Sequence, residues 1–181
     1  NFWLKQSNLL RWSQKPTFAY KKKKDNYTDW YPDGKINIYD NCITRNIESG
    51  LGKKIAIYCV DKNKQIKSYT YDEINKKVNL FSQILISQSK SKNLSLCKIM
   101  IHASASIESA ISMLGCTKLG IHFSVIFEDL APEAISKRIS LFKPDIFFST
   151  FSKKIFKKNI LNKINIKKKK KFLFFSELKN L

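Results

Sequence analysis

The sequence predicts an α/β fold: a partial, doubly wound and mainly parallel sheet with helices on both faces, preceded by an irregular N-terminal extension. Between residues 107 and 150, helical and strand periodicity alternate, the joints are short, and the stretch ends on a further strand. Strands that alternate with helices over short joints are typical of a parallel sheet built from right-handed crossovers. This stretch therefore predicts the fold class.

The first three parallel strands are predicted at residues 98–101, 121–127 and 145–149. The second run is β-branched and aromatic, and apolar almost throughout, which is typical of a strand covered on both faces. The helix between the first two strands is predicted over residues 106–118, with a buried face at positions i, i+3, i+4 and i+7. That face consists of Ile107, Ala110, Ile111 and Leu114.

Pro132 predicts the start of the next helix, because proline suits the first helical turn. We expect Ile135 and Ile139 to face inward, and the helix to stop before Pro144. A last strand is predicted at residues 172–175.

Residues 1–31 are predicted to be an aromatic-dotted extension outside the sheet, with a solvated lysine loop at residues 21–26. Asp40 is expected to cap a helix that runs through Ile47, because a carboxylate oxygen can accept from the free amides of the first turn.

Residues 54–60 and 66–69 are predicted to be strands joined by a polar turn. Thr70 and Glu73 have the spacing of a capping box, in which each side chain accepts from the other residue's backbone amide. The helix that they open is expected to bury one side. That side consists of Ile74, Val78, Phe81 and Leu85.

The charge balance favours anionic partners at first sight. The chain has 34 Lys plus Arg against 14 Asp plus Glu, a net charge of +20. Nucleic-acid surfaces use arginine for two-pronged contacts and stack bases on exposed aromatic rings. Arginine occurs only at Arg11, Arg45 and Arg138, and no exposed aromatic surface is evident from the sequence. We therefore expect no specific nucleic-acid partner, and a basic nucleic-acid-binding protein is the weaker alternative.

The chain of 181 residues, 43% apolar, is predicted to be globular, and its apolar runs are too short to span a membrane. Four well-separated cysteines predict reduced thiols in a cytoplasmic protein, and no metal site is predicted. His102 and His122 occupy strand positions, and we expect them to be packed or hydrogen-bonded rather than catalytic.

Six short motifs occur in an order that resembles one enzyme family. They are WYPDGKIN at 30–37, NCITR at 41–45, YTYDEI at 69–74, SMLGC at 112–116, SVIF at 124–127 and APEA at 131–134. This order and spacing resemble the AMP-forming acyl-CoA synthetases, especially the acetyl- and propionyl-CoA synthetase branch.

The resemblance implies an N-terminal extension over residues 1–50 and the first part of the large AMP-binding domain over residues 51–181. It implies a ligase that activates acetate or propionate with ATP and Mg²⁺, and passes the acyl group from the adenylate to CoA. We expect the phosphate-binding loop beyond Leu181, because the run STFSKK at residues 149–154 lacks the glycines that such a loop needs. The first residue is Asn rather than Met, and we expect a piece of a longer product, inactive alone and without catalytic residues of its own.

The resemblance also implies part of a CoA nucleotide site. In acetyl-CoA synthetases a Phe-Gly-Gly turn lies against the adenine of CoA, and two arginines after the next strand approach its phosphates. The matching positions here are Phe127, Glu128, Asp129, Lys154 and Lys157. Carboxylates in place of glycines remove space and repel phosphate, and lysine in place of arginine loses the two-pronged contact.

A purely structural interpretation of these positions is open as well: Phe127 ends a core strand, Asp129 caps the next helix, and the two lysines are solvated. Two functional alternatives also stay open. One is a CoA-binding or interaction module without chemistry, and the other is the product of a decaying gene. The expected partners are small molecules, and we expect no membrane partner.

Overall fold

A computed structural model describes residues 2–24, 26–61, 63–88, 97–151 and 171–174. These residues form a four-stranded parallel sheet with helices on both faces, an antiparallel hairpin, and an N-terminal region of short strands and helical turns. The predicted α/β fold class is confirmed.

The N-terminal region is more regular than expected. It begins with α1 (Phe2–Gln6) and a 3₁₀ turn (Ser7–Leu9), followed by β1 (Trp12–Gln14), β2 (Tyr20–Lys22), β3 (Thr28–Trp30) and β4 (Lys35–Ile36). β1 pairs with β4 and β2 with β3, both antiparallel. Lys21 and Lys22 therefore lie in a strand, and the prediction of a loop there is wrong, because Tyr20 pairs with Trp30 across the hairpin.

Exposed aromatic rings run along this region. Phe2 contacts Trp3, Trp3 contacts Trp30, and Trp30 contacts Tyr20, with ring centroids 5.1, 5.5 and 5.7 Å apart. All four side chains are exposed. This surface could not be predicted from the sequence, because exposure depends on packing, which residue type alone does not show.

Helical turns over residues 38–51 connect this region to the rest, with π-helical geometry at Asp40–Thr44 and Ile47–Leu51. The prediction of an Asp40 cap is wrong, because the turns begin two residues earlier. The Oδ1 atom of Asn37 instead accepts from the Asp40 amide at 3.3 Å, and Asp40 lies 3.6 Å from the Arg11 guanidinium.

β5 (Ile55–Val60) and β6 (Ile66–Thr70) form the antiparallel hairpin, and α2 (Tyr71–Gln88) follows at once. The capping box is confirmed: the Thr70 amide donates to Glu73 Oε2 at 2.7 Å, and the Glu73 amide donates to Thr70 Oγ1 at 3.2 Å. The predicted inner face of α2 is fully buried, at Ile74, Val78, Phe81 and Leu85.

The parallel sheet is built from the elements that follow. They are β7 (Lys98–His102), α3 (Ile107–Lys118), β8 (His122–Ile126), α4 (Pro132–Phe142), β9 (Ile146–Ser149) and β10 (Lys171–Phe174). The strand order is β10-β9-β7-β8, and each neighbouring pair is parallel. Since β7 lies between the two strands that follow it in the chain, the winding reverses direction after β8.

Alternate side chains of β7 and β9 enter two separate cores, because successive strand residues point to opposite faces. Ile99, Ile101 and Phe148 pack with residues of α2 and α3 on one face. Met100 and Phe147 pack with Ile135 and Ile139 of α4 on the other face. The inward positions predicted for α4 are thus confirmed.

The predicted buried face of α3 is only partly right. Ile111 is buried, but Ile107 and Leu114 are only partly buried, and the buried stripe is otherwise made of small residues. A Cβ atom added at Gly115 would lie 2.5 Å from Cδ1 of Phe81, so the small residue lets α3 approach α2 closely. Helix contact, rather than the most apolar stripe, sets the rotation of α3.

β8 is an edge strand of the described sheet, and its residues before Ile126 are only partly buried or exposed. The expectation that it is covered on both faces is therefore only partly right: Phe123 and Val125 pack against the core on one face and Ile126 is buried in the core on the other, but His122 is exposed. Within the described residues, no helix combines the length and the apolar character needed to cross a membrane.

Candidate functional site

A cleft of about 610 Å³ lies between the hairpin strand β5 and the carboxyl ends of β7 and β8. Its walls include Tyr58, Ser104, Ser106, Met113, Val125 and Phe127. Loops at the carboxyl ends of parallel strands are where open α/β sheets bind ligands. We call this the strand-end cleft.

The walls of the strand-end cleft are mainly apolar and include two exposed aromatic side chains, Tyr58 of β5 and Phe127 directly after β8. The Phe127 side chain is 62% exposed, so a face of its ring can receive a planar group. The Phe127 carbonyl accepts from the Leu130 amide at 3.5 Å, which forms the turn before α4.

Glu128 and Asp129 lie in this turn, and both are exposed. The alternative in which Asp129 caps α4 is wrong: Ala131 occupies the N-cap position, without a side-chain hydrogen bond. The two carboxylates thus add negative charge close to the Phe127 ring. The other two predicted site residues, Lys154 and Lys157, lie outside the described residues.

The first turn of α3 reaches the same cleft, and Ser106 and Ser109 form a capping box there. Ser106 Oγ accepts from the Ser109 amide at 3.4 Å, and the Ser106 amide donates to Ser109 Oγ at 3.2 Å. A helix N-terminus binds phosphate through free amides. The capping box engages the Ser106 and Ser109 amides, and the mainly apolar walls suit a planar apolar group.

His102 and Ser149 meet at the carboxyl ends of β7 and β9. His102 Nδ1 lies 3.2 Å from Ser149 Oγ, which also accepts from the Phe151 amide at 3.2 Å. Both side chains are buried, and burial lowers the pKa of His102 to about 4. The pair joins neighbouring strand ends and is closed to a substrate, so His102 is packed as predicted, whereas His122 is exposed.

Sequence reasoning did not find the hairpin wall of the cleft or the serines beside it. Ser104 and Ser106 follow directly after a predicted parallel strand, and that position was the available signal. The contribution of Tyr58 depends on how the hairpin packs, which has no signal in the sequence. In the part of the chain that the structure describes, no three His, Cys, Asp or Glu side chains are grouped as metal ligands would be.

Comparison with known proteins gives matches along nearly the whole chain. A family model described as "AMP-binding enzyme" matches residues 45–177, and one described as "Acetyl-coenzyme A synthetase N-terminus" matches residues 1–42. The chain belongs to the AMP-binding enzyme family. The resemblance to acyl-CoA synthetases is thereby confirmed.

Individual relatives agree with this assignment. An acetyl-coenzyme A synthetase of Leptospira biflexa is 33% identical over 150 residues, which cover 80% of this chain and 22% of the relative. One of Streptomyces coelicolor is 28% identical over 142 residues, 76% of this chain and 21% of the relative. An acyl-CoA synthetase short-chain family member 3, mitochondrial, of Pongo abelii is 28% identical over 80% of this chain and 21% of the relative. The chain thus spans about a fifth of the length of these curated relatives.

Proposed function

We propose that this chain supplies the N-terminal part of a short-chain acyl-CoA synthetase. Such an enzyme joins a carboxylate, acetate or propionate, to ATP, which gives an acyl-adenylate and pyrophosphate. The thiol of CoA then attacks the acyl carbon, so that the thioester forms and AMP leaves. The two family matches and the parallel sheet support the proposal. Residues 1–50 act as the extension and residues 51–181 as the first part of the AMP-binding domain in this proposal.

The role proposed for the described residues is to bind the base of CoA in the strand-end cleft. A volume of about 610 Å³ lies in the range of small-molecule sites, and the apolar wall with the exposed Phe127 ring suits an adenine. The position of the Phe127 turn at the carboxyl end of β8 is the observation on which this role rests.

The phosphates of CoA fit this cleft poorly, so they have to extend away from it. Glu128 and Asp129 repel them, and the capping box engages amides of the first turn of α3. ATP phosphates need a glycine-rich loop of backbone donors, and no glycine follows Gly120 in the 181 residues. We therefore propose that residues 1–181 alone do not form the adenylate and that ATP and Mg²⁺ bind with other parts of a complete enzyme.

Titration with CoA tests the binding role. We expect saturable binding of CoA and of adenosine, and a loss of about tenfold in affinity for both in Phe127→Ala, because stacking on an aromatic ring contributes about 1–3 kcal/mol. Leu141→Ala is the matched control, since this α4 side chain is 73% exposed and lies outside the cleft. Equal affinity in wild type and Phe127→Ala would contradict the site.

The acidic turn allows a second, opposite test. Glu128→Gln with Asp129→Asn removes two negative charges beside the cleft. We expect CoA to bind more tightly to this variant, with the gain shrinking at high salt, because screening weakens exposed charges. Adenosine binding is expected to stay unchanged, since adenosine carries no phosphate.

Assays of the complete reaction separate the enzyme from a module without chemistry. Release of pyrophosphate dependent on acetate or propionate, by a longer chain that contains residues 1–181, supports the ligase. CoA binding without turnover by that longer chain supports the module. Among the described cysteines, Cys42, Cys59 and Cys116 are free thiols, which supports a proposal of a reducing compartment such as the cytoplasm.

A further inference from the structure

A second cleft, of about 480 Å³, lies where the N-terminal helical turns meet α2 and the end of α3. Its polar wall includes Tyr39, Thr44, Glu48, Asn75, Asn79 and Lys118. It shares no lining residue with the strand-end cleft. We call it the Lys118 cleft.

Two acidic residues of the Lys118 cleft already have a cationic partner. Arg11 lies 2.6 Å from a carboxylate oxygen of Glu48 and 3.6 Å from one of Asp40. This one guanidinium offsets one of the two negative charges, and its shorter contact is to Glu48. These residues define the acidic side of the cleft.

Lys118 defines the other side and has no carboxylate within ion-pair distance among the described residues. Its ammonium group donates to Asn79 Oδ1 and lies 4.8 Å from the centre of the Tyr39 ring. Burial lowers the pKa of Lys118, as expected for a cation that has lost water without gaining an anion. The site therefore holds a partly dehydrated positive charge.

Uncharged side chains of the same cleft are hydrogen-bonded to one another. The Tyr39 hydroxyl donates to Asn75 Oδ1, and Asn79 Nδ2 donates to the same oxygen at 3.2 Å. An ammonium has three N–H donors, and the contacts described use one of them for a hydrogen bond. The remaining ammonium donors can bind the oxygens of an anion, whereas the Thr44 hydroxyl is already hydrogen-bonded to Tyr39.

We propose that the Lys118 cleft binds a small organic oxyanion, with the carboxylate or phosphate group on Lys118 and the organic part in the rest of the cleft. A charge-assisted hydrogen bond to Lys118 provides the main attraction. The volume of the cleft is larger than a bare oxyanion needs, which is why an organic part is included. This inference is independent of the CoA role, since it uses different residues.

NMR titration at constant ionic strength tests the proposal, with acetate, phosphate and chloride as the probes. We expect the side-chain amide signals of Asn75 and Asn79 to shift saturably with acetate or phosphate and not with chloride. Saturation by acetate alone identifies a carboxylate ligand, and saturation by phosphate alone identifies a phosphate ligand. Equal shifts with chloride, or none with any probe, would overturn the proposal.

Variants distinguish this site from a general effect of positive charge. Lys118→Met is expected to weaken binding by at least about tenfold, and Lys118→Arg to retain most of it, because the charge is kept. Lys98→Met is the matched control, since Lys98 also lies above a ring, Phe142 at 5.8 Å, but outside the cleft. If Lys98→Met weakens binding as much as Lys118→Met, the proposal fails.

Lys118→Gln removes the charge and keeps a polar, flexible side chain. We expect a measurable loss of affinity for the oxyanion without a change in fold, so the proposal can be tested even if Lys118→Met does not fold. An unchanged affinity in Lys118→Gln, in protein that circular dichroism shows to be folded, would exclude the site.

Discussion

The N-terminal region and the parallel-sheet region of this chain are held together by different interactions. In the N-terminal region side chains bond to distant backbone: Trp12 Nε1 donates to the Ser7 carbonyl at 2.8 Å, and the Tyr31 hydroxyl donates to the Trp3 carbonyl at 2.9 Å. In the sheet, by contrast, Ile101 and Phe148 are fully buried. Apolar burial, and with it most of the stability, is therefore concentrated in the sheet.

The two regions also carry separate spectroscopic probes. All three tryptophans, Trp3, Trp12 and Trp30, belong to the N-terminal region. Tryptophan fluorescence therefore reports on that region, while far-UV circular dichroism reports on all helices and strands. Unfolding followed by both probes measures the two regions in one experiment.

Removal of a core ring is expected to have the largest effect. Phe148→Ala should lower the free energy of unfolding by about 3–5 kcal/mol, because it leaves a cavity between β9 and α2. Trp30→Ala, at a side chain that is 52% exposed, should lower it by less than about 1 kcal/mol. Denaturant unfolding followed by circular dichroism measures both losses of stability. Equal losses in the two variants would contradict the conclusion that stability is concentrated in the sheet.

The next largest loss of stability is expected from a methyl group added at Gly115, where α3 packs against Phe81 of α2. Gly115→Ala puts a Cβ atom 2.5 Å from Phe81 Cδ1, and the Phe81 ring is itself held against Phe148 at 5.0 Å. Overpacking of this kind costs about 1–3 kcal/mol. Phe81→Leu in the same chain should recover part of the loss, so the two changes should not be additive in unfolding experiments.

The helices of the parallel-sheet region, and α2 before it, could be predicted because sequence patterns within each element agree with the way in which the element packs. The period of α2, the Thr70–Glu73 capping box and the Pro132 start all describe interactions within one element. The rotation of α3 could not be predicted in this way. It depends on Gly115 fitting against Phe81, a contact between helices that no period within one helix encodes.

The strands of the N-terminal region could not be predicted from the sequence. Its resemblance to a family rests on short motifs, yet β2 and β3 have no apolar alternation from which strands could be predicted. Similarly, the sequence gives the Phe127 turn as a candidate position but not the cleft, because Tyr58 and Met113 come from different elements. Sites assembled from several elements need the packing as well as the residues.

Acid is expected to lower the free energy of unfolding by protonating His102 in the sheet. Burial between the Phe147 and Phe151 rings, next to the Ser149 hydroxyl, lowers the pKa of His102 to about 4 from an ordinary 6.5. A base whose pKa is lowered in the folded state contributes stability above the unfolded pKa, and that stability is lost as the pH falls from 6.5 towards 4. The loss between pH 7 and pH 5 should be about 2 kcal/mol.

Paired variants isolate this contribution. His102→Gln should show a smaller loss of stability between pH 7 and pH 5 than wild type, because its side chain does not titrate in that range. His122→Gln is the matched control at an exposed position, and it should lose as much stability as wild type. Chemical unfolding at the two pH values gives the comparison, and an undiminished acid loss in His102→Gln would exclude His102 as its source.

The smallest expected effect concerns the joint between the two regions. Asn37 Nδ2 donates to the carbonyl of Thr117 at 3.0 Å, near the end of α3, and Asn37 Oδ1 accepts from the Asp40 amide at 3.3 Å. Asn37→Ala removes both bonds and should cost about 1 kcal/mol. Because the sheet core does not include Asn37, the fluorescence transition should move to lower denaturant while the circular dichroism transition of the sheet moves less. Asn63→Ala, in the exposed hairpin turn, should move neither transition, and equal shifts of both probes in Asn37→Ala would mean that the two regions unfold as one cooperative unit.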